Sequence, residues 1–91
     1  MIPQPDVESL IGREVVLDAS SMYVYVGTLT AINDRTIVLE DADVHDLRDT
    51  NTTREMYVID ARRHGVQANR KIVYVRADEV VSISPLDDVI A

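Results

Sequence analysis

The sequence predicts an all-β fold, a small and strongly bent antiparallel barrel of five strands. Three observations lead there. β-Branched residues make up 28 of the 91 (14 Val, 8 Ile and 6 Thr), and their restricted χ1 favours pleated backbone. The apolar residues fall into five or six short runs joined by tight polar links, the pattern of a small barrel or half-barrel. One run is long and carries a glycine at its centre, where a strand must bend sharply or pass close to another chain. Ninety-one residues make one domain's worth of chain, and an apolar content of 46% excludes a disordered polyelectrolyte.

Each element has its own reason. After Pro3 and Pro5, Asp6 can cap a short helix near residues 5–11, with Val7, Leu10 and Ile11 on one face and Gly12 ending it. Arg13 to Asp18 (REVVLD) reads as the first strand, and Ala19-Ser20-Ser21 as a turn. Tyr23 to Ile32 (YVYVGTLTAI) is the long strand, with Gly27 at its bend. Asn33-Asp34-Arg35 is a tight turn whose side chains suit local hydrogen bonds. A third strand starts at Thr36 (TIVLEDADV) and becomes acidic towards its far end. Residues 48–54 are a polar loop within a long variable region, 48–70. Glu55 to Asp60 (EMYVID) is strand-like; the ten residues after it are open between a hairpin excursion, a short helix and a disordered tip. Lys71 to Arg76 (KIVYVR) and Val80 to Ser84 (VVSIS) are the last strands, and Pro85 stops the second. The expected core includes Val15, Val26, Leu29, Ile32, Leu39, Val73, Val80 and Ile83.

Composition narrows function. Sixteen acidic against nine basic residues give a net charge of −7, all of it in residues 1–53; residues 54–91 are neutral. Such a chain repels polyanions in bulk, so any nucleic-acid site must be local. Six bases lie between Arg54 and Arg76. The Arg62/Arg63/His64/Arg70/Lys71 group reads as a solvated loop ahead of a binding patch. With no cysteine, disulfides, thiolate metal sites and thiol nucleophiles are excluded. Asp41, Asp43 and His45 alternate on one strand face, but ligands on a straight strand stand too far apart to converge on a metal. No phosphate-binding glycine loop, G-x-S-x-G or H-E-x-x-H occurs. The expectation is a non-enzymatic protein with no cofactor, no metal and no catalytic residues. No run approaches a membrane span and the amino terminus lacks a signal peptide's layout, so a soluble, cytoplasmic protein without membrane contact is expected.

Two segments together resemble the Sm/LSm family, the ring-forming RNA-binding proteins that include bacterial Hfq. In Gly12 to Asp43, the stretches GREVVL, YVGTLTAIN and TIVLEDAD track the family's first motif. In residues 72–84, IVYVRADEVVSIS is similar to the second: an apolar strand, an arginine, a polar turn and a short V-V-x-I strand. The chain is a divergent member by this resemblance. Thr36 stands where the family has a base-contacting Asn, and Ala77 follows Arg76 where the family has glycine.

The resemblance implies an Sm-like barrel that forms a homo-oligomeric ring, a hexamer or heptamer. Residues 80–84 of one subunit would pair with 71–76 of the next. It further implies an RNA-chaperone-like module with RNA-binding residues Asn33, Asp34, Arg35, Thr36, Arg76 and Asp78 around a central pore. A threonine hydroxyl cannot read uracil's edge bidentately as an amide does, so weak binding of single-stranded U- or A-rich RNA is expected. The competing expectation is an Sm-like or other SH3-like barrel that scaffolds protein assembly, its nucleotide pocket degraded. In that case Arg76 would only pair with Asp34 or Asp78.

Overall fold

The computed structural model describes residues 5–91. The first helix, α1, is a single turn, Pro5–Glu8. It is shorter than the expected 5–11 because the chain tightens: the Leu10 and Ile11 amides donate to the Val7 and Glu8 carbonyls, each three residues back. The cap assigned to Asp6 and the role of Pro3 lie outside the described side chains and residues.

Five strands follow: β1 (Glu14–Ala19), β2 (Tyr23–Ile32), β3 (Thr36–Asp46), β4 (Arg70–Arg76) and β5 (Val80–Pro85). They form one antiparallel sheet in the order β4-β3-β2-β1-β5, which leaves β4 and β5 as edges. In a flat sheet those edges would lie ~19 Å apart, four strand spacings. Instead a three-residue 3₁₀ turn, Ala77–Glu79, joins the end of β4 to the start of β5. Val75, Ala77 and the partly buried Val80 and Ile83 share one inner cluster with Val15, Leu17, Leu29, Ile37 and Leu39. The sheet is therefore curled around its own core.

Gly27 is where the curl is made. Val26 pairs with Asp43 and Thr28 with Glu40, so Asp41 and Ala42 together stand against Gly27 in a β-bulge. A Cβ on Gly27 would sit 2.9 Å from both Cα and Cβ of Ala42. Asp41 takes up the extra residue with a φ of 48°, a left-handed conformation that aspartate tolerates better than branched residues do.

The strand reading of Glu55 to Asp60 is corrected: these residues lie in a helix, α2 (Arg54–His64). Tyr57-Val58-Ile59 favours strands, but propensity yields here to capping and burial. Thr53 Oγ1 accepts the Met56 amide at the start, and the Gly65 amide donates to Ala61 at the end. Val58 and Ala61, three residues apart, bury against Val16, Val24 and Val26 on the outer sheet face, with Leu86 beside them. β1 is thus covered on both sides.

Of the expected core, Val15, Val26, Leu29 and Leu39 are fully buried. Ile32, Val73, Val80 and Ile83 are only partly buried at the margin of the inner cluster. Val16, Leu17, Val24 and Ile37 are buried too; Val16 and Val24 owe this to the helical cover that the strand reading of 55–60 did not supply.

Candidate nucleic-acid interface

The link between β2 and β3 is built by one side chain. Asn33 Oδ1 accepts the backbone amides of Arg35 and Thr36, both at 2.8 Å, and the Asn33 amide donates to the Thr36 carbonyl at 3.0 Å. This local ring of bonds turns the chain and projects Asp34 and Arg35 into solvent. Thr36 then opens β3 directly opposite Arg76, the last residue of β4. The Ala77 amide donates to the Arg35 carbonyl at 2.9 Å, so the two loops are clipped together. A cavity of about 300 Å³ lies between them, lined by Asp34, Arg35, Arg76 and Asp78. All six expected residues are therefore gathered at one end of the β3–β4 ladder.

Two of the cavity's four charges are paired with each other. Arg76 Nη2 donates to Asp78 Oδ2 at 2.7 Å, with side chains 75% and 66% exposed. So exposed a pair is worth little and separates readily. The two edges near this end are apolar: Tyr74 on β4 is 67% exposed, Val81 on β5 70%. Ile72 on β4 is half exposed as well.

No family model matches the chain, and no curated protein is detectably similar to it in sequence. Its fold, however, is shared. An Sm protein of Pyrococcus abyssii, solved in complex with a uridine heptamer, superposes with a TM-score of 0.62 over 91% of this chain and 99% of its own, at 21% identity. A heptameric archaeal Sm protein gives 0.58 over 90% and 97%, at 19% identity. An Sm-like protein of Archaeoglobus fulgidus gives 0.59 over 93% and 97%, at 16% identity. The fold is that of the Sm proteins.

Against this Sm-like frame, the opposite end of the β3–β4 ladder is elaborated. Arg54, at the start of α2, reaches the β1–β2 turn: Nη1 donates to the Tyr23 carbonyl at 3.0 Å and Nη2 to that of Ser21 at 3.1 Å. Asp18 lies 3.6 Å from the same guanidinium. His45 of β3 stacks on Tyr57 of α2, with ring centroids 4.2 Å apart and planes 8° from parallel. Asn69 closes the base of the excursion. Its amide donates to Ala42, while its side chain accepts from the Val44 amide and donates to the Val44 carbonyl and to Asp43.

The alternating residues Asp41, Asp43 and His45 of β3 thus have separate fates. Asp43 is held by Asn69, His45 is stacked, and Asp41 sits exposed in the bulge. Among the described residues no three groups converge to hold a metal ion, and no helix is long and apolar enough to cross a membrane. Asp46 caps the 3₁₀ turn Leu47–Asp49. The Arg48 side chain, then its backbone amide, hold the Asp46 carboxyl at about 2. Burial, then the neighbouring Asp43 carboxylate, push the Tyr57 phenol well above the ordinary tyrosine range. Its hydroxyl is buried, although no hydrogen bond of ordinary geometry joins it to Asp43 or any other group.

The sequence reading missed this second end. Thr53 before the helix, three basic residues in its last turn and Gly65 after it were the available signals.

Proposed function

We propose that the chain assembles head to tail into a ring of six or seven copies that binds single-stranded U- or A-rich RNA weakly, in the cytoplasm and without enzymatic activity. The observation that carries this reading is the clipped pair of loops, with Arg35 and Arg76 lining one cavity at the end of a sheet whose two edges are unpaired and apolar. A β4 edge bearing Tyr74 and a β5 edge bearing Val81 suit pairing with a neighbouring copy, and repetition of that contact closes a ring. The uridine heptamer bound by the Pyrococcus Sm protein and the heptameric state of the second archaeal protein support the same reading.

Each role follows from the side chains. Asn33 positions the turn, and Thr36 offers a base one hydroxyl. Arg35 and Arg76 meet phosphate or stack on a base, while Asp34 and Asp78 limit the positive charge. With −7 on every subunit, affinity depends strongly on salt. Residues 48–70, which hold α2, correspond to the family's variable loop.

Light scattering should give six or seven times 10.2 kDa; a monomer mass at micromolar concentration removes the ring. On intact rings at ~50 mM salt, where phosphate contacts are strong, oligo-U should bind. Arg76→Ala should weaken it about tenfold, the loss of one charge-assisted contact. Asp78→Asn should tighten it by releasing Arg76. Absence of wild-type binding under these conditions favours a protein-assembly scaffold instead.

A further inference from the structure

A second cavity, of about 370 Å³, lies between α2 and β3, and the proposed RNA contact makes no use of it. It is lined by Asp43, Tyr57, Asp60, Ala61, His64 and the loop residues Gly65 and Gln67. Tyr57, Asp60, Ala61 and His64 fall at i, i+3, i+4 and i+7, one stripe of the helix. A helix laid on a sheet ordinarily places apolar side chains along such a stripe. Here Ala61 is buried against the sheet but Asp60 and His64 are exposed, so on either side of Ala61 the stripe borders an open space that acidic and other polar groups share with apolar ones.

The geometry points to this cavity as a binding site for a compact organic cation, a guanidinium or alkylammonium group on a short apolar stem. Two carboxylates face the space, Asp43 from the strand and Asp60 from the helix, and neither has an ion-pair partner among the described residues. Asp43 is also pre-positioned: one of its oxygens accepts from the Asn69 side-chain amide at 3.1 Å, and Asn69 is fixed by three further bonds to β3.

The chain's own cations are directed elsewhere. Arg62 and Arg63 occupy helix positions off the stripe and are exposed, and Arg70 donates to the Asn69 carbonyl. His64 and Gln67 add hydrogen-bonding groups at the rim, while the Tyr57 ring and the Ala61 methyl offer the apolar wall a stem needs. The volume falls within the range of small-ligand sites, which are apolar with a few placed polar groups. An acidic surface repels anions and enriches cations near it. Because no three metal-ligating groups converge here, the cation expected is organic.

Such a group could come from a free amine or from an arginine side chain of a partner protein. The test titrates wild-type protein with agmatine and, separately, with the peptide Gly-Arg-Gly, following amide shifts of residues 57–67 by NMR at low salt. Wild-type protein should bind at least one probe, and Asp60→Asn and Asp43→Asn should each weaken it about tenfold or more, the loss of one hydrogen bond to a charged group. Preference for agmatine identifies a free amine, and preference for the peptide identifies a side chain. Asp60 is exposed, so its variant keeps the fold, which a thermal melt verifies; that variant should leave oligo-U affinity unchanged, since Arg76 is untouched. If neither probe shifts the cavity residues, or if both variants bind as wild type does, the site is refuted. That result would stand apart from any failure of ring formation or RNA binding.

Discussion

At one end of the β3–β4 ladder Thr36 faces Arg76, and short links, Asn33–Arg35 and Ala77–Glu79, carry the chain onward. At the other end Ala42 faces Arg70, and the chain travels through residues 47–69 before it returns. The first end is held by local hydrogen bonds around one asparagine. The second is held by tertiary contacts: Arg54 on the β1–β2 turn, Tyr57 on His45, and Val58 and Ala61 on the outer face. The difference teaches that an Sm-like sheet can keep a compact turn end and still build a separately stabilised unit on its far side.

This contrast can be broken outright at Gly27, which lies between the two ends. Gly27→Ala would drive a methyl group against Ala42 and the Glu40 carbonyl. Backbone cannot step aside as a flexible side chain would, so a loss of about 1–3 kcal/mol is expected. Urea unfolding monitored by circular dichroism measures it; an unchanged midpoint would mean that the bulge relaxes freely.

Arg54→Ala tests the far end alone. It removes two charge-assisted bonds to carbonyls, and partial exposure reduces their worth to about 1–2 kcal/mol. Hydrogen exchange should quicken in α2 while the Asn33–Thr36 amides keep their protection. If both ends loosen together, the two are not separate units.

Asn33→Ala is the reciprocal change. Loss of the two exposed bonds to Arg35 and Thr36 should cost about 0.5–1 kcal/mol. The quickened exchange should be confined to residues 34–36 and Ala77, sparing α2.

The smallest expected effect is at low pH. The Asp46 carboxyl is held at about 2, below its ordinary 3.8, chiefly by the Arg48 side chain. Its contribution is present above pH ~4 and disappears as the pH falls through about 2. Asp46→Asn should flatten this part of the acid-stability curve, and an NMR pH titration of the carboxylate measures the shift directly.

The turn end was legible because its causes are local. Asn33-Asp34-Arg35 announces a turn by residue type alone, and Gly27 inside an apolar run announces a bend. The meeting of Thr36 with Arg76 followed from the resemblance of two motifs to Sm sequences. The far end depends on contacts between distant segments. Tyr57-Val58-Ile59 reads as strand until the outer sheet face is known to need a cover, and Asp43 with Asp60 becomes a pair only when α2 folds back over β3. Arg54 gives no sign in the sequence of the carbonyls it reaches.

The four hydrogen bonds between Asn69 and β3 act as a clasp at the root of the long excursion. They set where β4 begins whatever the intervening chain does, and lengthening a flexible loop is inexpensive, about 0.6 kcal/mol per doubling. Residues 47–68 are accordingly a graft position: another peptide could be spliced between Asp46 and Asn69 without shifting a strand. The replacement must bring a greasy patch to shield Val16, Val24 and Val26 from water, and a donor for the Ser21 and Tyr23 carbonyls that Arg54 now serves.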